Sequence, residues 1–275
     1  MKKETKIAFI GGDARSLCAA SYMREKGCHV QTLGYGDDDS PAKILSHTDA
    51  AIFPVNQSTD VIKTVDGRAF SLDAILKSAN EKIIYFGGEK CEKILHSFLP
   101  EATYYDITKC ENFAIINADI TSEGAIGIMI NELPMALSDM SVAVIGAGRI
   151  GTSLSEKLVP LCKSVKVFAR NAATRENIKK YCEVREIPSF CGKDFDCVVN
   201  TVPCRVLSDE QVHKIKKDAH VIELASSPYG FDESEISQIC RYIFAPGLPG
   251  KVAPQTSGKI MAQAVLDILK GEKLK

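Results

Sequence analysis

The chain has 275 residues, of which 45% are hydrophobic and 25% charged, with a formal net charge of -1. These proportions are ordinary for a globular protein of about two domains. With no global basic field, nucleic acid is not an expected partner, and no apolar run is expected to approach the length of a bilayer span. The polar start, Met1-Lys2-Lys3-Glu4-Thr5-Lys6, leads straight into a strand of about five residues, too short for a signal-peptide core, so a cytoplasmic location is expected. Ten cysteines and five histidines include no C-x-x-C pair and no ligand spacing, so no metal is expected and the thiols read as reduced.

Strand-like and helix-like runs alternate from the first element. A strand over 6–10 precedes an amphipathic helix over 14–26, and strands follow over 30–33 and 50–53. Ser71 caps a helix over 71–79 that has Asp73 in its first turn. A strand over 82–86 ends at Gly87-Gly88, a helix over 89–98 stops before Pro100, and a short strand covers 103–105. This pattern predicts a five-stranded, flavodoxin-like α/β domain over 1–120. A long apolar helix over 122–137 then joins two domains, and Pro134 should kink or interrupt it. Residues 121–140 are the linking segment. A second doubly wound domain runs over 141–254, with later strands over 197–200, 221–224 and 242–244. The final helix, over 257–269, is expected to pack back on the first domain, so that 255–275 belongs with it.

The second domain opens with the most specific local signal. Ser141-Val142-Ala143-Val144-Ile145 reads as a buried strand, and Gly146, Gly148 and Gly151 supply the G-x-G-x-x-G spacing before a helical pattern. The three glycines permit a tight turn, a close backbone approach to a pyrophosphate, and close helix–strand packing; the phosphates then lie on a helix N-terminus. Arg149 and Ile150 complete that turn. A second strand over 165–169 ends in Ala169-Arg170-Asn171, where a site for the unphosphorylated coenzyme usually places an acid about 20 residues after the glycines. A guanidinium suits a 2′-phosphate, so Arg170 and Asn171 point to NADP(H). The first domain's Ile7-Ala8-Phe9-Ile10-Gly11-Gly12 echoes this strand-to-glycine turn without the full fingerprint.

Ligands of such sheets bind beyond the carboxyl ends of the strands, and two such domains are expected to face one another across a cleft. Loops 11–15, 200–205 and 245–254 should border it. In the first, Asp13 is a candidate N-cap, and Arg15 in the first turn opposes the helix dipole, which points to an anionic partner. Thr121, Ser122 and Glu123 read as the start of the linking helix, where Glu123 can accept a proton and hydroxyls and amides can hold a carboxylate. The turn at Asn200-Thr201-Val202-Pro203 should lie under the nicotinamide ribose, and Glu223-Leu224-Ala225-Ser226-Ser227-Pro228 should approach the ring, with Thr201, Val202, Pro203, Ala225 and Ser226 as the cofactor-binding candidates. The proline- and glycine-rich stretch 245–254, which includes Gly247, reads as a rigid path that neither helix nor strand can take. Thr256 and Ser257 open the final helix as another anion-friendly N-terminus.

Taken together, these motifs resemble the family of dipicolinate synthase A subunits over nearly the whole chain. The resemblance rests on Ile10-Gly11-Gly12-Asp13-Ala14-Arg15, Pro54-Val55, Glu123-Gly124, the 142–151 fingerprint, Ala169-Arg170, Asn200-Thr201-Val202-Pro203, Leu224-Ala225-Ser226, and Ala245-Pro246-Gly247-Leu248-Pro249-Gly250 with Val252-Ala253-Pro254. It implies an NADP-dependent enzyme of spore-forming bacteria that works with a flavoprotein-like B subunit; a homo-oligomer is compatible with it. The implied reaction starts from 4-hydroxy-tetrahydrodipicolinate and, by loss of water and oxidation, gives dipicolinate. For such a diacid, Arg15, Lys251, Thr256 and Ser257, with Ser122, are the carboxylate-binding candidates. Glu123 is the first choice of base and Asp13 the second. The chain departs from the family at Ser227, where arginine is expected, at Tyr229, where glycine is, and at Ile120, where proline is.

Two other readings share the architecture. A D-2-hydroxyacid dehydrogenase would need an arginine after the fifth strand of the nucleotide domain and a late histidine, but Leu224 is followed by Ala-Ser-Ser-Pro and no histidine follows His220. A non-catalytic NADP-binding partner would fit the low histidine count and the lack of an obvious acid–base dyad.

Overall fold

The computed structural model describes residues 5–36, 40–55 and 59–271. Met1-Lys2-Lys3-Glu4, on which the expectation about the amino terminus rested, and residues 272–275 of the expected terminal segment lie outside the described residues. The chain divides into two units, residues 1–117 with 249–275, and residues 118–248.

The first unit begins with β1 (Lys6–Ile10), α1 (Ala14–Glu25), β2 (His29–Leu33), α2 (Pro41–Leu45) and β3 (Ala50–Ile52). A hairpin of β4 (Val61–Lys63) and β5 (Ala69–Ser71) follows, then α3 (Leu72–Leu76), β6 (Ile84–Gly87), α4 (Glu89–Phe98) and β7 (Tyr104–Asp106). The parallel sheet has the order β2-β1-β3-β6-β7, the 2-1-3-4-5 order of flavodoxin-like folds. Side chains alternate across β1 with period two. Ala8 and Ile10 join Leu33, Phe53 and Tyr85 on one face, while Ile7 and Phe9 join Ala19, Met23 and Met261 on the other.

Helix α5 (Glu111–Glu132) carries the chain from the first unit into the second. It starts well before the expected 122. Its N-terminal half runs through Ile115, Ile116, Ile120 and Thr121, β-branched residues whose restricted side chains disfavour helix locally. Packing of Phe113 in the first core and of Ala125 and Met129 in the second overrides that preference. Ile120, where the resemblance implies proline, keeps the helix unbroken, and α5 ends two residues before Pro134. By length and composition α5 is apolar enough to cross a membrane, with mean hydropathy 1.4 over its best window, 44% of which is buried. The expectation that no run approaches that length therefore needs correcting. Asp119 and Glu123 interrupt the run in the sequence, but the composition of the window still passes.

The second unit holds β8 (Ser141–Ile145), α6 (Arg149–Leu158), β9 (Ser164–Phe168), α7 (Ala172–Ile178), β10 (Glu183–Arg185), β11 (Cys197–Asn200), α8 (Asp209–His213), β12 (His220–Glu223), α9 (Glu233–Ile236) and β13 (Arg241–Phe244). All pairings are parallel, in the order β10-β9-β8-β11-β12-β13. This is the 3-2-1-4-5-6 order of a dinucleotide-binding sheet, with the reversal beside β8.

The chain then forms α10 (Leu248–Val252) and α11 (Pro254–Leu269). Stretch 245–254 is thus partly helical, against expectation. Pro249 sits in the first turn of α10, where its missing N–H has no helical partner to lose. Helix α11 starts at Pro254 and crosses α1 closely: a Cβ on Gly258 would lie 2.5 Å from the Arg15 carbonyl oxygen and 2.7 Å from the Cys18 Cβ.

Candidate functional site

The turn from β8 into α6 has the shape that a pyrophosphate requires. Gly146 has φ +104, and a Cβ there would lie 2.4 Å from the Thr201 Oγ1. A Cβ on Gly151 would meet the Gly146 carbonyl at 2.2 Å, so only glycine lets helix and strand approach this closely. Gly148 differs: nothing lies within 4 Å of its added Cβ. It is the N-cap of α6 and makes no side-chain cap bond. The start of this ten-residue helix, at the positive end of its dipole, therefore leaves room beside Gly148 for an anion. Three glycines with three distinct environments fit the dinucleotide group. Arg149, exposed, and Ile150, half-buried, begin α6.

At the end of β9, Arg170 is exposed, and its guanidinium has no hydrogen-bond or ion-pair partner among the described residues. Asn171 caps α7, accepting from the Thr174 N–H at 3.0 Å. Arg175 is committed elsewhere. It donates to the carbonyls of Ala169 and Arg170 at 3.0 and 2.6 Å and pairs with Glu186 at 2.6 Å. That fork fixes the backbone that carries Arg170, a supporting role the sequence did not disclose.

The turns after β11, β12 and β13 hold the remaining cofactor candidates. Thr201 donates its hydroxyl to the Ile145 carbonyl at 2.9 Å, sealing the underside of Gly146. Val202 is half-buried, Pro203 exposed, Ala225 buried and Ser226 exposed. Gly247 has φ +70. Beneath these turns lies Glu223, fully buried at the end of β12, which sequence reasoning placed only in the stretch approaching the nicotinamide ring. Burial pushes its carboxyl above the ordinary value, while hydrogen bonds from Asn200, Gly230, Ala225 and Phe231 pull it back. Tyr229, where the resembled family has glycine, takes φ +66, a left-handed conformation that favours glycine. Its ring packs edge-on against Phe244, with centroids 5.0 Å apart.

In the first unit, Asp13 caps α1 as expected, accepting from the Arg15 N–H at 3.0 Å. The anionic partner sought for Arg15 is Asp13 itself: the guanidinium Nη2 donates to Oδ2 at 2.9 Å. Arg15 is 3% exposed, so its charge lies almost out of water. Gly250 closes over the pair, since a Cβ there would lie 2.3 Å from the Asp13 Oδ2. Lys251, exposed on α10, is the next residue. Tyr35, also missed, donates its hydroxyl to the Gly11 carbonyl at 2.5 Å; burial raises its phenol pKa.

Thr256 and Ser257 lie in the first turn of α11, Thr256 exposed and Ser257 at 1% exposure. The Ser257 hydroxyl is buried without a hydrogen-bond partner among the described residues. Its helix has Pro at the first position and no side-chain cap. An orphaned buried hydroxyl at an uncapped helix start suits a carboxylate.

Ser122 and Glu123 are not at a helix start, which corrects the expectation. Both sit in the middle of α5 because the helix begins at Glu111. The Ser122 hydroxyl donates back to the Ala118 carbonyl at 2.9 Å, with a longer 3.4 Å contact to the Ile150 carbonyl, so it is not free to hold a carboxylate. Glu123 is exposed, without a partner among the described residues. Its segment is anchored to α6 through Asp119, which accepts from Ser153 at 2.8 Å and pairs with Lys157.

No family model matches the chain. It is 27% identical to the A subunit of dipicolinate synthase of Bacillus subtilis (strain 168), over 96% of this chain and 95% of that one. The crystal structure of the dipicolinate synthase A chain from Bacillus subtilis superimposes with a TM-score of 0.83 at 27% identity, covering 99% of this chain and 98% of that one. That of the Bacillus halodurans counterpart gives 0.85 at 24% identity, covering 98% and 99%. D-lactate dehydrogenase from Escherichia coli shares the fold at a TM-score of 0.67 and 12% identity, with 98% of each chain covered. The chain therefore resembles the A subunit of dipicolinate synthase from end to end, on a fold shared with dehydrogenases.

Proposed function

We propose that this chain is an NADP-dependent oxidoreductase of the dipicolinate synthase type, corresponding to the A subunit of that enzyme. It oxidises a dihydrodipicolinate, formed from 4-hydroxy-tetrahydrodipicolinate, to dipicolinate in the cytoplasm of sporulating cells, together with a flavoprotein-like B subunit. The observation that carries this reading is the open Gly148 at the uncapped start of α6, with Arg170, which has no partner among the described residues, at the end of the neighbouring strand, in a chain similar throughout to the A subunit of a dipicolinate synthase.

Bound NADP+ supplies the acceptor for the two electrons and one hydrogen that leave the ring carbon. The chain's own residues do the rest. The start of α6 holds the pyrophosphate, and Arg170 receives the 2′-phosphate in a charge-assisted pair. Thr201, Val202, Pro203, Ala225, Ser226 and Gly247 line the second mononucleotide half. Arg15, Lys251 and the α11 start at Thr256 and Ser257 bind the two carboxylates. Glu123 takes the proton that leaves as the ring becomes aromatic, and Asp13 is the alternative acceptor. Orientation contributes most, because aromatisation already drives the step downhill.

The dehydrogenase fold alone would also serve a D-2-hydroxyacid. The turn after β12 offers Ala225-Ser226-Ser227 and no arginine, and no histidine follows His220, so that acid–base pair is missing. The deciding assay adds freshly prepared 4-hydroxy-tetrahydrodipicolinate and NADP+ to the chain, with and without the B subunit. Growth of NADPH absorbance supports the reading. Reduction of pyruvate with NADH supports the hydroxyacid alternative, and no turnover in any mixture favours a purely binding role.

A further inference from the structure

We infer that Glu223 is a positioning residue for the nicotinamide half of the coenzyme, acting through Asn200 and Gly230 on the two turns beside it. This rests on the NADP reading above. Asn200 ends β11, Glu223 ends β12, and the two are in register across the sheet. The Asn200 Nδ2 donates to the Glu223 Oε1 at 2.7 Å and to the Val202 carbonyl at 2.9 Å, while its Oδ1 accepts from the Val202 N–H at 3.2 Å. The same carboxylate accepts the backbone N–H groups of Ala225 at 3.0 Å and Gly230 at 2.9 Å. One buried carboxyl group thus ties turn 201–203 to turn 225–230.

Gly230 completes the device. A Cβ there would lie 2.3 Å from the Asn200 Nδ2, so only glycine lets its N–H reach the carboxylate past that amide. Burying a carboxyl group is costly, and fixed hydrogen-bond donors from Asn200, Ala225 and Gly230 offset that cost here. Neither Glu223 nor Asn200 is exposed, so they act through the turns they hold. Those turns follow the fourth and fifth strands of the 3-2-1-4-5-6 sheet, the half that binds the second mononucleotide. The adenosine 2′-phosphate end lies on the other half, beyond β9.

That separation supplies the test. Glu223→Gln replaces an acceptor oxygen with an NH2 facing donor groups, and Asn200→Ala releases turn 201–203 more mildly. Binding of NADP+ and of adenosine 2′,5′-bisphosphate, which lacks the nicotinamide half, is measured by calorimetry on the full-length variants. NADP+ binding should weaken by roughly tenfold or more in each variant that folds, with bisphosphate binding unchanged. Equal losses for both ligands, which a merely structural role would give, overturn the inference. So does NADP+ binding that stays at the wild-type level. If the wild-type chain binds neither ligand, the NADP reading has failed and this inference falls with it.

Discussion

Asp13 and Arg15 neutralise one another across the first turn of α1, with Arg15 Nη2 2.9 Å from Asp13 Oδ2. The same aspartate caps the helix through Oδ1. A cation at a helix start is unfavourable alone, and this one is also buried. It persists because its counter-charge is two residues away. Asp13 keeps 44% of its side chain exposed, so the pair is reachable from solvent through the aspartate.

Asp13→Asn retains a good cap but leaves the buried guanidinium without its anion. Thermal or urea unfolding should show a loss of about 1–3 kcal/mol. Dipicolinate should then raise the melting temperature of the variant more than that of the wild type, by supplying the missing carboxylate. Equal shifts in the two proteins would separate Arg15 from the diacid.

Gly148 and Gly151 should respond oppositely to alanine. Gly151→Ala places a methyl 2.2 Å from a backbone carbonyl and should destabilise the second unit by about 1–3 kcal/mol. Gly148→Ala has room and should cost less than about 1 kcal/mol, yet weaken NADP+ binding sharply because the methyl occupies the phosphate approach. Calorimetry beside a melting curve separates the two effects.

This contrast shows how much of the site was legible. The glycine spacing and the strand before it were readable because both impose backbone requirements that few residues meet. The parallel character of both sheets follows from the same alternation of elements. The hairpin β4–β5 was missed although Asp66-Gly67, with Gly67 at φ +84, is a turn signal. Its strands are only three residues each, too short for a periodic pattern. The start of α5 was hidden by the β-branched run through Ile115, Ile116 and Ile120. Glu223 read as part of the stretch approaching the ring and not as a tie between two turns, because nothing local reveals that Asn200, twenty-three positions earlier, lies beside it.

Arg170→Ala should raise the KM for NADP+ by roughly tenfold or more and leave that for NAD+ nearly unchanged, since only the 2′-phosphate contact is lost. Arg175→Ala should give a smaller change in the same direction, by loosening the backbone at Ala169 and Arg170. Parallel losses with both coenzymes would remove the specificity role.

Two carboxylates predict opposite pH dependences. The Asp119 carboxyl lies below its ordinary 3.8 through the Lys157 hydrogen bond, against the opposing effect of burial and with help from Ser153. Its contribution is present above that value and lost as pH falls through the folded one. Glu223 lies above its ordinary 4.5 through burial, so its protonation contribution is present below 4.5 and lost as pH rises through the folded value. Relative to Glu223→Gln, the wild type should lose stability on raising the pH from 4.5; relative to Asp119→Asn, it should lose stability on acidification below 3.8. Denaturation curves across both ranges check the signs.

Glu123→Gln should reduce kcat by roughly a hundredfold or more, with NADP+ affinity unchanged. Wild-type turnover in that variant would reject Glu123 as the base, and the same experiment on Asp13→Asn would then decide for or against the alternative.

The most direct measurement follows NADPH and dipicolinate together in one reaction, started with fresh 4-hydroxy-tetrahydrodipicolinate, NADP+, this chain and the B subunit. The two products should appear in equal amounts and at equal rates, and neither should form without this chain. Dipicolinate accumulating with no matching NADPH would contradict the assignment of this chain as the oxidising component.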